Sequence, residues 1–303
     1  MTLVDYSGEY QNELQAALEV IGRASEAILE FYNAQSAETY IKGDGSPVTD
    51  ADLASDKIIS EAIAAAFPDD GLLTEEGARN LDRLGKSRCW IADPIDGTQQ
   101  YVARTGLFDV MLALCVDGRP VVAATINPVS NRIQCAVAGS GAWEIVDGVA
   151  NRFLISSTPA PPRLVASKWY GGLEPERGSA VVRIAERVGA AKPPIMEVGF
   201  QSRAFSDQER TYDAFIGLPQ RDKGSIAQEW DLACVDLITH EAGGSFTDCW
   251  GRLHQYNKRS TSISGGILAS SNPKLHTALL NAVAPEIPSD APAPDPAVDG
   301  IAD

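Results

Sequence analysis

Histidine is scarce in this 303-residue chain: only His240, His254 and His276 occur, and no two are spaced as a metal pair. Zinc chemistry and a histidine-based nucleophile relay are therefore disfavoured from the outset. The five cysteines, Cys89, Cys115, Cys135, Cys234 and Cys249, are odd in number, widely spaced and mostly set in apolar runs. They read as small buried hydrophobes in a reducing compartment, not as a disulfide framework. No apolar run approaches the roughly 20 residues that span a bilayer, and Met1 to Asp5 shows neither a basic leader nor an apolar signal core. The expectation is a cytoplasmic protein with no membrane partner. Bases are in deficit, 25 Lys and Arg against 41 Asp and Glu, and no dense basic stripe interrupts the excess. That argues against a nucleic-acid partner and against an anionic lipid surface. Carboxylates are what remain for chemistry.

With 44% hydrophobic and 22% charged residues the composition is that of a globular chain, with room for roughly two domains of about 150 residues or equally for one large domain. Leu14, Leu18, Ile21, Ile28 and Phe31 recur at helical spacing over Tyr10 to Tyr32, and Ile58, Ile59, Ala62, Ile63 and Ala66 do so over Thr49 to Phe67. Two amphipathic helices thus open the chain. Short apolar runs, Leu72-Leu73 and Trp90-Ile91-Ala92, then end in acidic residues as strand ends feeding loops. From Phe108 to Ile155, β-rich segments punctuated by Asp117-Gly118, Asn127-Pro128 and Asp147-Gly148 predict an antiparallel meander. Beyond a linker at Pro159, Pro161 and Pro162, strands at Leu164 to Ser167, Ile195 to Val198, Gly244 to Thr247 and Gly266 to Ala269 alternate with helices. The domain expectation is 1–155 for the helix pair and antiparallel sheet, 156–284 for an α/β half, and 285–303 for a disordered, Pro-rich acidic tail.

The most informative stretch is Cys89-Trp90-Ile91-Ala92-Asp93-Pro94-Ile95-Asp96-Gly97-Thr98, an apolar strand that runs into two carboxylates, a proline, a glycine and a hydroxyl. Pro94 stiffens the turn, Gly97 lets backbone N–H groups approach a ligand, and Thr98 opens a helix whose N-terminus favours an anion. Glu75 and Glu76 also end an apolar run. Asp52 lies three residues after Thr49, which equally fits a capping box. Asp231, in Glu229-Trp230-Asp231, stands in the first turn of a helix, where it equally fits compensation of the helix dipole. Three lookalikes fail. Pro94 stands where a haloacid-dehalogenase phosphatase needs a second Asp before Asp96. Asn80 stands where a phosphate loop ending in Gly85-Lys86-Ser87 needs Gly, and Glu144 stands where a dinucleotide fingerprint after Gly139 and Gly141 needs Gly.

Taken in order, Lys42-x-Asp44-Gly45-Ser46-Pro47-Val48-Thr49 with Asp52, Glu75-Glu76, Asp93 to Thr98, Gly139-x-Gly141-Ala142, Trp230-Asp231 and Ala242-Gly243-Gly244 resemble the signatures of the inositol monophosphatase superfamily. The resemblance implies a layered α-β-α-β-α sandwich (α+β or α/β), usually dimeric, with magnesium-dependent and often lithium-sensitive phosphomonoesterase activity on a small phosphorylated metabolite. Carried onto this chain, Glu75, Asp93 and the carbonyl of Ile95 would hold one Mg²⁺, and Asp93, Asp96 and Asp231 a second. Glu75 with Asp52 would help hold a third, and the Gly97 and Thr98 N–H groups would grip phosphate. Magnesium's preference for hard oxygen ligands agrees with so acidic a set. Thr98, hydrogen-bonded to Glu75 or Asp52, is the candidate for orienting the attacking water.

Thr98-Gln99-Gln100-Tyr101 and Gly251-x-x-x-x-Tyr256-Asn257 are more similar to the 3'(2'),5'-bisphosphate nucleotidase branch than to inositol monophosphatases. Adenosine 3',5'-bisphosphate is therefore the expected substrate, with Arg203 on a second phosphate and Trp169 or Tyr170 stacked on adenine. Inositol monophosphate hydrolysis is the alternative within the superfamily. A catalytically silent phosphometabolite-binding protein is the alternative of another class.

Overall fold

The computed structural model describes residues 4–43, 45–77, 80–152, 154–155, 161–166, 175–190, 212–219, 227–287, 289 and 291. The chain forms two compact units. The first comprises Met1–Phe153 together with Trp230–Ile238 and Tyr256–Arg259, and the second comprises Leu154–Glu229, Thr239–Gln255 and Ser260–Asp303.

In the first unit, helices α1 (Gln11–Ala34) and α2 (Asp50–Ala66) follow the periodicity that predicts them. Leu14, Leu18, Ile21 and Ile28 are buried, and Phe31 packs half-buried on the same core. On α2 the inward face reads Ala51, Asp52, Ser55, Ile59, Ile63, so its first turns carry polar groups into the interior. The helices cover a seven-stranded sheet in the order β3 (Gly71–Thr74), β4 (Arg88–Asp96), β5 (Asp109–Val116), β6 (Arg119–Asn127), β7 (Arg132–Val137), β8 (Gly141–Val146), β9 (Val149–Arg152). Only the β3–β4 pair is parallel; the rest is the expected meander. Alternate residues, among them Val110, Leu112, Leu114, Val122, Ala124 and Ile126, face the helices. Asp117-Gly118 and Asp147-Gly148 both adopt left-handed φ at the two hairpin tips, as a primed two-residue turn requires. A small hairpin, β1 (Thr39–Ile41) with β2 (Pro47–Thr49), was not foreseen; three residues are too few to display a period.

The second unit has a four-stranded sheet ordered β10 (Leu164–Ala166), β11 (Ala214–Gly217), β13 (Ile267–Ser270), β12 (Ser245–Thr247). Strand β11 was also not foreseen, and the expected strand at 195–198 lies outside the described residues. Helices α4 (Pro175–Arg187) and α6 (Pro273–Val283) share its core, with Val181, Ile184, Ile216, Leu268 and Leu279 buried together. Glu286 falls in the stretch expected to be disordered from 285, yet it is tied to Arg183 at 2.7 Å and Arg187 at 2.6 Å. Two arginines one turn apart on α4 thus hold the start of that acidic segment. All five cysteines are buried and free. Among the described residues, no helix is long and apolar enough to cross a membrane.

His276 on α6 is 5% exposed and lies between two hydroxyls, Thr247 Oγ1 at 2.9 Å from Nε2 and Ser270 Oγ at 3.0 Å from Nδ1. Each hydroxyl also has a carbonyl to donate to, Asp248 at 2.7 Å for Thr247 and Asn272 at 3.2 Å for Ser270. Burial, and secondarily the charge of His240, lowers the imidazole from 6.5 to about 4. The unfolded chain therefore binds the extra proton first. The resulting stability is complete above pH 6.5 and is lost as pH falls towards 4, with a ceiling of about 3 kcal/mol. In urea melts at pH 7.5 and 4.5, wild type is expected to lose more stability than His276→Gln; parallel losses would refute this assignment.

Candidate functional site

The first unit gathers the acidic residues. Strand β4 pairs Asp93 with Met111 and Asp96 with Asp109, so three steps on β4 oppose two on β5. That extra residue is a β-bulge, and it has a chemical consequence. In a regular strand, side chains three apart point to opposite faces, whereas one inserted residue brings Asp93 and Asp96 to the same side. Proline, which has no N–H to pair, fits the bulge at Pro94. Its carbonyl accepts from Ser55 Oγ on α2 at 2.9 Å, and the Ile95 N–H donates to Asp93 Oδ1 at 3.0 Å. The bulge is thus held from both sides.

Asp231 arrives from far along the chain, in the first turn of helix α5 (Glu229–Glu241). Carboxylate oxygens of Asp93, Asp96 and Asp231 all lie within 4.8 Å of one another. Asp93 is 2% exposed, and its carboxyl is pushed well above the usual range by burial first, and then by the negative charges of Glu75, Asp96, Asp231 and Asp52. Three carboxylates this close repel one another unless a cation lies among them, and the donors are all hard oxygens. The residues present therefore fit a divalent cation of the magnesium type.

Glu75 enters beside this trio by strand register. Parallel pairing of β3 with β4 sets Thr74 level with Ala92, and the Glu75 N–H continues the ladder to the Ala92 carbonyl at 3.2 Å. That brings Glu75 level with Asp93, outside the tight trio. Lys42, at the end of the β1–β2 hairpin, bonds Glu75 Oε1 and Glu76 Oε1 at 2.6 Å each. Burial raises the Glu75 carboxyl, and Lys42 opposes that shift. Lys42 belongs to a motif quoted from the sequence, but a lone lysine carries no pattern that names its partner.

Asp52 caps its helix and meets Thr98 with different oxygens. Its Oδ2 accepts from the Thr49 N–H at 2.8 Å and from Thr49 Oγ1 at 2.5 Å, completing the capping box at the start of α2. Its Oδ1 accepts from Thr98 Oγ1 at 3.0 Å. Of the two partners foreseen for Thr98, Asp52 is therefore the one found. The Ile95 carbonyl shares the Thr98 hydroxyl at 3.2 Å. Burial is the chief cause that raises the Asp52 carboxyl.

Gly97 turns the chain from β4 into the short helix α3 (Thr98–Val102) at φ 91°, and a Cβ there would stand 3.2 Å from the Leu107 carbonyl. Only glycine fits both the conformation and the space. Tyr101 locks α3 down; it is 5% exposed and packs edge-on against Phe108 with ring centroids 5.2 Å apart. Tyr256 and Asn257, which carry part of the branch resemblance, are scaffold residues. The Tyr256 ring is 2% exposed with its hydroxyl on Asp236, and Asn257 accepts from Arg83 at 2.6 Å. Asp44, Trp169, Tyr170 and Arg203 lie outside the described residues.

Comparison with known proteins agrees with this geometry. The sequence profile described as "Inositol monophosphatase family" matches residues 9–168. A histidinol-phosphatase of Mycobacterium tuberculosis is 30% identical over 89% of this chain and 96% of its own length. A 3'(2'),5'-bisphosphate nucleotidase CysQ of Escherichia coli O157:H7 is 31% identical over 85% of this chain and 99% of its own. In three dimensions, an inositol monophosphatase from Zymomonas mobilis superposes with a TM-score of 0.70 at 22% identity, covering 92% of this chain and all of the other. At that identity the likeness speaks for the fold.

Proposed function

The chain belongs to the inositol monophosphatase family, a family of phosphatases, and from that premise we propose that it is a Mg²⁺-dependent phosphomonoesterase. The observation that carries the reading is the meeting of Asp231 with Asp93 and Asp96, residues 135 or more positions apart in the chain on a bulged strand and a helix start. Asp93, Asp96 and Asp231 would hold one ion; Glu75, Asp93 and the Ile95 carbonyl would hold a second, and Glu75 with Asp52 would help with a third. Bound divalent cations supply Lewis-acid activation of water and neutralise charge on the phosphoryl oxygens.

The chain's own groups do the rest. Thr98 Oγ1 orients the attacking water through its lone pairs and relays the proton, taking the one that the water releases as its own passes to Asp52 Oδ1. The Gly97 and Thr98 N–H groups offer the phosphate hydrogen bonds at the start of α3, where the left-handed Gly97 turns the backbone. Asp231 borders the substrate as well as the metal.

For the substrate we propose adenosine 3',5'-bisphosphate, on the strength of the 31% identity to the nucleotidase relative and the Tyr256-Asn257 likeness. Histidinol phosphate is the second reading, supported by a relative of that name over 278 aligned residues. Phosphate release from both, and from inositol monophosphate, with and without Mg²⁺ and Li⁺, ranks the readings; no metal-dependent release from any ester would leave a binding protein. Asp96→Asn is expected to retain the fold by circular dichroism and to lose nearly all turnover. Near-normal activity in that variant would refute the metal role. We also propose a cytoplasmic homodimer, supported by the free buried cysteines and the family likeness and testable by light scattering for its oligomeric state.

A further inference from the structure

The register of α5 decides where Asp231 stands, and a three-bond polar hold on that helix lies five residues further on. Asp236 is fully buried and accepts both arms of the Arg119 guanidinium, Nη1 on Oδ2 and Nη2 on Oδ1, each at 2.9 Å. The Tyr256 hydroxyl donates a third bond to Oδ2 at 2.9 Å. Tyr256 is fixed in turn by its N–H, which donates at 3.0 Å to the carbonyl of Gly118. Gly118 immediately precedes Arg119 in the tight β5–β6 turn. The three side chains therefore join the helix, the hairpin tip and the 256 segment at one point.

The apolar pattern of this helix does not by itself select a rotation. Leu232, Ala233, Cys234, Val235, Leu237 and Ile238 are all 5% exposed or less, so the segment is apolar nearly all the way round. A helix without a single apolar stripe has no preferred face to turn inward. A bidentate fork supplies what the pattern lacks, since it fixes direction as well as distance. Buried ion pairs seldom outdo well-packed apolar groups in stability, so specification of geometry is the better account of this one. The lever is short: five residues of helix separate Asp236 from Asp231, about 7.5 Å along the axis.

We infer that Arg119, Asp236 and Tyr256 are positioning residues for the metal centre, setting the helix rotation that brings Asp231 to Asp93 and Asp96. The inference rests on the metal-centre reading proposed above. Its test compares the full chain with the triple variant Arg119→Met/Asp236→Leu/Tyr256→Phe and with Tyr256→Phe alone. Calorimetric Tm is measured in EDTA, Mn²⁺ binding by paramagnetic resonance, and the Mg²⁺ concentration for half-maximal phosphatase activity. The triple variant is expected to keep a Tm near that of wild type while its Mn²⁺ affinity falls about tenfold or more, as for outer-shell groups of metal sites. Tyr256→Phe, which removes no charge, is expected to weaken Mn²⁺ about threefold, the equivalent of one ordinary hydrogen bond. Activity at saturating Mg²⁺ should largely recover in both, because every ligand is still present. A folded triple variant with the wild-type Mn²⁺ isotherm overturns the inference. If the triple variant does not fold, an unchanged isotherm in Tyr256→Phe does the same. Should wild type bind Mn²⁺ yet release no phosphate, the phosphatase reading falls, while the isotherms still decide the anchor.

Discussion

Asp93→Asn is expected to reduce metal-dependent turnover by on the order of a thousandfold or more, and in the same molecule to raise the Tm of the metal-free protein. The two effects share one cause. Asp93 is 2% exposed among Glu75, Asp96, Asp231 and Asp52, and its carboxyl is held well above its ordinary value by burial and by those charges. With no cation bound, the folded state therefore holds a proton that the unfolded chain has already released. Stability then falls as pH rises from the unfolded value of 3.8 through the folded one, and the whole penalty is present above it. Asparagine removes the charge, and its side-chain oxygen can still accept the Ile95 N–H. The variant should accordingly melt above wild type in EDTA at pH 8. That advantage should vanish near pH 4. Added Mg²⁺ should raise the Tm of wild type by binding the folded state, and that of the variant far less. A variant less stable than wild type in EDTA at pH 8 would show that Asp93 is an ordinary structural carboxylate.

The parts of this molecule that could be read beforehand are those whose signal is local and repeated. The helical spacing of Leu14, Leu18, Ile21 and Ile28 places α1 within two residues of its observed ends, because each buried position restates the same face. Asp117-Gly118 and Asp147-Gly148 located the two tight hairpins because few residue pairs tolerate two left-handed φ values in succession. The bulge between Asp93 and Asp96 was not read, although Pro94 stood in view. A proline marks where pairing is interrupted, but only the register against β5 shows that one residue is inserted and which side chains it realigns. Asp231 and Glu75 were placed at the centre through family likeness, since no property of Glu229-Trp230-Asp231 itself selects a partner near residue 93. Lys42 and the Arg119–Asp236 pair went unread for a related reason: a single charge has no period, and its partner can lie anywhere along the chain. For Asp52 a cap and a place at the site are alternative readings of one residue, and the structure gives the cap bonds to one oxygen and the Thr98 hydroxyl to the other.

That division of Asp52 allows cap and chemistry to be separated by mutation. Thr98→Ala is expected to lower turnover by about a hundredfold to ten-thousandfold, the range for a group that positions or relays a proton, with a modest loss of stability. The hydroxyl it removes bonds Asp52 Oδ1 and the Ile95 carbonyl, while Oδ2 keeps both Thr49 bonds, so α2 remains capped. Thr98→Ser retains the hydroxyl and should restore most of the activity. Thr49→Val acts on the other oxygen. It removes the side-chain half of the capping box and should cost about 1 kcal/mol of stability. Its turnover should fall far less than in Thr98→Ala, because Thr98 still meets Oδ1. Urea midpoints and rates at saturating Mg²⁺, measured on all three variants, make the comparison. If Thr49→Val and Thr98→Ala lose activity in proportion to their lost stability, Thr98 has no part in the chemistry and Asp52 is only a helix cap. If Thr98→Ala alone loses rate while its midpoint stays near that of wild type, the hydroxyl acts on the reacting water.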